Sequence, residues 1–94
     1  MKIRDILWLD ELIDKLLRKH NVRTNEVIEV LLNKPHFRFV EKGHRISEDV
    51  YSAMGQTNDG RYLIIFFIYK KAGSVLIVSA RDMTSSERKR YEQI

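Results

Sequence analysis

Residues 61–82 read RYLIIFFIYKKAGSVLIVSARD. Two apolar runs, Tyr62 to Tyr69 and Ser74 to Arg81, flank the short turn KKAG, the pattern of a β-hairpin. The first run is apolar at every position. That suits a central strand covered on both faces, or covered on one face and buried by a partner on the other. A turn centred near Ala72 pairs Leu63 with Arg81. Alternation then places Arg61, Leu63, Ile65, Ser79 and Arg81 on one face, with two arginines meeting at one end. Like charges gather where an anion offsets them, here Asp82, Glu87 or a phosphate. An Arg81 ion pair anchoring a terminal helix is the structural alternative to a phosphate site.

Working outward, Asn58-Asp59-Gly60 is a hairpin turn that joins Tyr62–Tyr69 to a strand in VYSAMGQT, residues 50–57. HFRFVE, residues 36–41, alternates loosely as a first strand, with a polar turn through Gly43 and an irregular stretch to Glu48 behind it. Upstream the period changes. Leu9, Leu12, Ile13, Leu16, Leu17 and His20 fall on one helical face, which predicts an amphipathic helix from about Asp10 to His20. Asp10, Glu11 and Asp14 come early and Lys15, Arg18, Lys19 and His20 late, as the helix dipole favours. Asn21 tolerates the left-handed cap that ends such a helix. Thr24 is read as the N-cap of a second helix over about Asn25 to Asn33, which Pro35 closes. Thr84 with Glu87 forms a capping box that opens the terminal helix SSERKRYEQI. The order is ααββββα: an α+β fold with two N-terminal helices, a four-stranded antiparallel sheet and a C-terminal helix.

The chain has 94 residues, the length of one small domain that buries somewhat over 60% of its unfolded surface. With 44% hydrophobic and 32% charged residues it is an ordinary folded protein rather than a disordered one. It has no cysteine, which removes disulfides, thiolate metal sites and thiol catalysis and fits a reducing compartment. The longest apolar run falls far short of the roughly 20 residues of a membrane helix. The N-terminus acquires carboxylates too early for a secretory signal, so the expected location is cytoplasmic. A net charge of +4 and a pI near 9.5 favour an anionic partner, whether RNA, DNA or an acidic protein.

The chain carries no phosphate-binding glycine loop and no serine elbow. His36 and His44 have no carboxylate or thiolate pattern between them, so neither a metal nor a cofactor is expected. What remains is a set of single polar residues around the sheet: His20 at a helix end, Arg61 entering one strand, Arg81 leaving the next, and Tyr91 in the last helix. Each has a structural reading. A cation suits a helix C-terminus, a helix aromatic suits a core rim, and Arg88-Lys89-Arg90 suits a solvated face. Gly55 and Gly60 need nothing beyond turns and strand bulges.

Taken together, LRKHNV, EVIEVLLN, YSAMGQTNDGRYLIIFF and VLIVSARDMTSSERKRY resemble the BrnT-type ribonuclease toxins of bacterial type II toxin-antitoxin systems. The likeness runs from about Trp8 to Tyr91. Its most specific parts are G-x-T-x-x-G-R at Gly55 to Arg61 and S-A-R at Ser79 to Arg81, leading to Glu87 and Tyr91. It implies a single RelE-like toxin domain over residues 1–94 that cuts RNA without a metal. It also implies a cognate DNA-binding antitoxin, with a homodimer or a toxin-antitoxin hetero-oligomer as the assembled form. Catalytic roles are implied for Lys19, His20, Arg61 and Arg81, with Glu87 and Tyr91 in support. Val50 and Leu76 stand where the family often has arginine.

The implied chemistry is in-line attack by the RNA 2′-hydroxyl. Arginines would stabilise the phosphorane-like transition state and His20 would move a proton. A catalytically silent RNA-binding or protein-interaction module on the same fold is the alternative. A DNA-binding regulator is a third, although TSSERKRYEQI follows no helix-turn-helix pattern.

Overall fold

The computed structural model describes residues 1–45 and 48–94. The irregular stretch expected between Gly43 and Glu48 therefore lies partly outside the described residues. The elements in chain order are β1 (Asp5–Leu7), α1 (Asp10–His20), α2 (Thr24–Leu32), β2 (His36–Glu41), β3 (Val50–Gln56), β4 (Tyr62–Tyr69), β5 (Ser74–Asp82) and α3 (Ser85–Glu92).

The sheet has five strands in the order β1-β5-β4-β3-β2, with β1 parallel to β5 and the other pairs antiparallel. This corrects the four-stranded antiparallel expectation. The added strand is only three residues long, Asp5-Ile6-Leu7, too short to show a period, and it pairs with Ser74–Leu76 far along the chain.

Helix α1 forms where its spacing predicts, and Asn21 ends it in the left-handed conformation at φ 52°. Helix α2 begins one residue earlier than expected. Arg23 is its extended N-cap and donates its backbone N–H to the Glu26 carboxylate at 3.0 Å. Both helices pack on one face of the sheet, α1 against β5 and α2 against β3 and β4. Leu16, Val22, Val27, Val30 and Leu31 meet Ala53, Leu63, Ile65, Phe67, Ile77 and Ala80 there to form the core. Gly55 lies under α2: a Cβ at that position would stand 3.1 Å from Val30 Cγ1 and 3.2 Å from Pro35 Cβ. Its missing side chain is what lets the helix approach β3 so closely.

The other face of the sheet is covered in part. Helix α3 lies at one end of it, with the Tyr91 ring edge-on to Tyr62 at 5.9 Å and the Arg88 guanidinium 3.9 Å above the Tyr62 ring. Strand β4 is buried throughout on its core-facing side, apart from its end at Tyr69, whereas on the other side Ile64 is buried and Tyr62, Phe66 and Ile68 are partly exposed.

The β4–β5 register changes along its length. Near the turn, Tyr69 pairs with Val75 and Phe67 with Ile77, the register that a turn centred on Ala72 gives. Val78 then bulges, so Phe66 pairs with Ser79, Ile64 with Arg81 and Leu63 with Asp82. One inserted residue moves every later side chain to the opposite face. Arg81 therefore leaves the face of Leu63, Ile65 and Arg61 and stands on the second face with Ile64 and Phe66. The shared face expected for Arg61 and Arg81 is corrected by that single bulge.

Candidate nucleic-acid interface

The G-x-T-x-x-G-R element closes the β3–β4 hairpin. Thr57 donates its N–H to the Arg61 carbonyl at 2.9 Å, and the Thr57 hydroxyl accepts from the Arg61 N–H at 3.0 Å. Gly60 sits at φ +88°, where a side chain would be strained. Asn58 N–H donates to Glu29 of α2, and Asn33 Nδ2 donates to the Gln56 carbonyl and to Asn58 Oδ1. The turn is thereby laced to the second helix, and Arg61 is delivered to the core face.

Arg61 engages all five of its N–H groups. Nε and Nη2 donate to the two Asp82 oxygens at 2.8 and 3.1 Å, Nη2 also to the His20 carbonyl at 3.0 Å, and Nη1 to the Asn21 carbonyl at 2.7 Å and to Glu26. The guanidinium caps the C-terminus of α1, pairs with the first turn of α2 and holds the end of β5. Its hydrogen bonds hold the Asp82 carboxyl below its ordinary value, and the nearby His20 ring lowers it further. Lys19 is exposed on α1 beside this clamp.

Arg81 is held differently. Its Nη1 and Nη2 donate to the two Glu87 oxygens at 2.7 and 3.0 Å, and Nη1 also donates to the Asp82 carbonyl at 3.1 Å. Its Nε–H and second Nη2–H have no acceptor among the described residues. These two groups share one edge of the guanidinium, so Arg81 retains a complete fork for two oxygens of an anion. Its flat side rests over Phe66, with the guanidinium carbon 5.6 Å from the ring centroid. The ion pair expected to anchor the terminal helix is present, and it leaves one edge of the guanidinium without an acceptor among the described residues.

Glu87 is fixed from both sides. Its carboxylate accepts from Thr84 N–H at 2.8 Å, and its own N–H donates to Thr84 Oγ1 at 3.1 Å, completing the capping box. The Arg81 fork, helped by the Thr84 N–H and opposed by burial, holds the Glu87 carboxyl at about 2 against an ordinary 4.5. A carboxyl whose folded value lies below its unfolded one stabilises fully above about pH 4.5 and loses that contribution as the pH falls toward about 2. The contribution is on the order of 2 kcal/mol once solvent screening at the one-third-exposed Arg81 is allowed for. Thermal melts across this window are expected to show a loss of stability that Arg81→Ala largely removes. An acid limb of the same height in the variant would show that the pair contributes nothing.

The second face is basic at one end and apolar at the other. Arg38, Arg81, Arg88 and Arg90 lie at the α3 end, among Tyr62, Phe66 and Tyr91. A cross-strand row His36, Met54, Ile64, Arg81 places the second histidine on this face. Sequence reasoning weighed His36 only as a metal ligand. Its position four residues from Val40 in an alternating strand gave no hint of what lay opposite. At the other end, Val50, Ile68, Leu76 and Leu7 form one continuous row. The two positions where the resemblance carries arginine, Val50 and Leu76, are thus neighbours of one residue, Ile68, on the face that holds Arg81. No group of three or more His, Asp or Glu among the described residues is arranged to hold a metal ion. No helix among them is long and apolar enough to cross a membrane.

The model of the family described as ribonuclease toxin, BrnT, of type II toxin-antitoxin system matches residues 8–87. The chain belongs to the BrnT family. No curated protein matches its sequence. Among solved structures the chain resembles the Brucella abortus ribonuclease toxin BrnT, determined at 1.1 Å, with a TM-score of 0.64 and 15% identity. The alignment covers 86% of this chain and 97% of that one. At that identity the likeness is one of fold: three helices and a mixed sheet in the BrnT arrangement. BrnT membership makes this a chain of a ribonuclease toxin family whose systems pair each toxin with an antitoxin.

Proposed function

We propose that the chain is a ribonuclease toxin forming one RelE-like domain that cleaves RNA without a resident metal. The 2′-hydroxyl attacks the adjacent phosphate, the bond to the 5′-oxygen breaks, and the hydroxyl proton passes through water to that leaving oxygen, giving a 2′,3′-cyclic phosphate and a 5′-hydroxyl. The observation that carries this reading is the free Nε–Nη2 edge of Arg81, set among aromatic and basic side chains. Such a mixture suits single-stranded RNA, whose bases stack and whose phosphates pair with arginine. Arg81 donates to the two non-bridging phosphate oxygens and gains strength as charge builds on them in the transition state. Glu87 holds the other end of the guanidinium and fixes its angle. Tyr91 keeps α3, and therefore Glu87, on the sheet through Tyr62.

In this reading Arg61, His20 and Lys19 serve the scaffold. The Arg61 donors are all engaged, and the His20 ring lies beside Asp82 on the helical face. Arg61 binds His20 through its carbonyl, so His20→Ala leaves the clamp whole. The test is cleavage of single-stranded RNA in excess EDTA by wild-type protein and by His20→Ala, with melting temperatures taken on the same preparations. Both proteins are expected to cleave, the variant within about threefold of wild type, with melting temperatures within a few degrees. RNA left intact by wild-type protein, with and without ribosomes, refutes the ribonuclease reading. A large loss of rate in His20→Ala at unchanged stability restores the proton-transfer role that the resemblance implies.

The family's antitoxin is proposed to cover the second face. The row Val50, Ile68, Leu76 and Leu7 needs apolar cover, and an acidic segment laid beside it would meet Arg81, Arg88 and Arg90.

A further inference from the structure

Beside Arg81 lies a cavity of about 250 Å³. Ser52, Met54, Ile64 and Phe66 of the sheet line it, together with Arg38 of β2 and Arg90 of α3. Glu87, the carboxylate that holds Arg81, forms one wall. Phe66 belongs to both places: its ring supports the Arg81 guanidinium and lines the cavity. Ser52 is 3% exposed, and its hydroxyl has no hydrogen-bond partner among the described residues. Among the described residues no side-chain oxygen or nitrogen is sealed from solvent without a partner, so this hydroxyl meets the cavity. A buried hydroxyl in a pocket whose remaining polar groups are the charged Arg38, Glu87 and Arg90 selects what enters by hydrogen bonding.

We infer that this cavity receives one unpaired nucleobase of the RNA, next to the phosphate held by Arg81, with the Ser52 hydroxyl reading the base edge. The inference rests on the ribonuclease reading above. A volume below the ~300–1,000 Å³ of sites for drug-sized ligands suits a single flat ring system. The aromatic wall offers a surface for a base, and a hydroxyl both donates and accepts. Arg38 and Arg90 line the same cavity and would meet the phosphates on either side of an inserted base. The shared Phe66 couples the two sites, so a seated base sets the neighbouring phosphate against the Arg81 edge.

The test compares wild-type protein with Ser52→Ala, which removes the hydroxyl, and Val40→Phe, which narrows the cavity from an exposed rim position. Cleavage is measured on RNA oligonucleotides differing in the one base beside the cleaved phosphate. Binding is measured on the same oligonucleotides carrying 2′-deoxyribose at the cleaved position. Wild-type protein is expected to prefer some bases, and Ser52→Ala to flatten that preference by about 3- to 10-fold, as loss of one hydrogen bond does. Val40→Phe is expected to weaken binding by about 10-fold or more, as loss of a stacked base does, and to lower kcat as well, because the phosphate is no longer set against the Arg81 edge. Variants that cleave and bind with the wild-type base profile and KM overturn the base pocket and leave the ribonuclease reading standing. Wild-type protein that neither cleaves nor binds the oligonucleotides overturns both.

Discussion

Arg81→Ala is expected to slow RNA cleavage by about 100-fold or more, the usual effect of removing one pre-organised donor from a charged transition state. Lysine at the same position restores charge without the fork. Arg81→Lys should therefore recover only part of the rate, because an ammonium ion meets one phosphate oxygen where the guanidinium edge meets two. Single-turnover rates at saturating protein separate this effect from binding. Both variants also leave Glu87 without its bidentate partner, so melting temperatures must be read alongside the rates and folded protein used throughout. A rate for Arg81→Ala within threefold of wild type would mean that Arg81 does no more than anchor α3.

The sequence showed the helices and four of the strands because their periods are long enough to read. Helix α1 carries six apolar or cap positions on one face, and Tyr62–Tyr69 is apolar throughout. The three residues of β1 carry no period, and their partner strand follows about seventy positions later. Inside β5 the run VLIVSAR shows nothing unusual at Val78, since valine suits a bulge and a regular strand equally. That one residue decided the site. Without the bulge the two arginines share a face and read as a pair of phosphate ligands; with it they separate, and each finds its own carboxylate. Both carboxylates, Asp82 and Glu87, were legible as counter-charges; their assignment was not. The scaffold role of Arg61 was hidden for a similar reason. Its acceptors come from the end of α1, the first turn of α2 and the end of β5, and two of them are backbone carbonyls that no side-chain pattern announces.

Arg61→Ala is expected to destabilise the protein far more than any other single change at the surface of the helical layer. The substitution leaves the His20 and Asn21 carbonyls, the half-buried Glu26 carboxylate and Asp82 without their shared donor. Losing one partner from such a network costs about 2–4 kcal/mol where the remaining groups are partly buried. For a domain of this size that corresponds to a melting temperature lower by about 10–20 °C. Lysine cannot reach three elements with one compact ammonium, so Arg61→Lys should recover little of the loss. The decisive comparison is with Arg81→Ala. At a temperature where Arg61→Ala is still folded, its cleavage rate per folded molecule should stay within a few-fold of wild type, whereas Arg81→Ala should be slow while folded. An Arg61→Ala protein that melts near the wild-type temperature and fails to cleave would transfer the phosphate-binding role to Arg61 and undo the division of labour between the two faces.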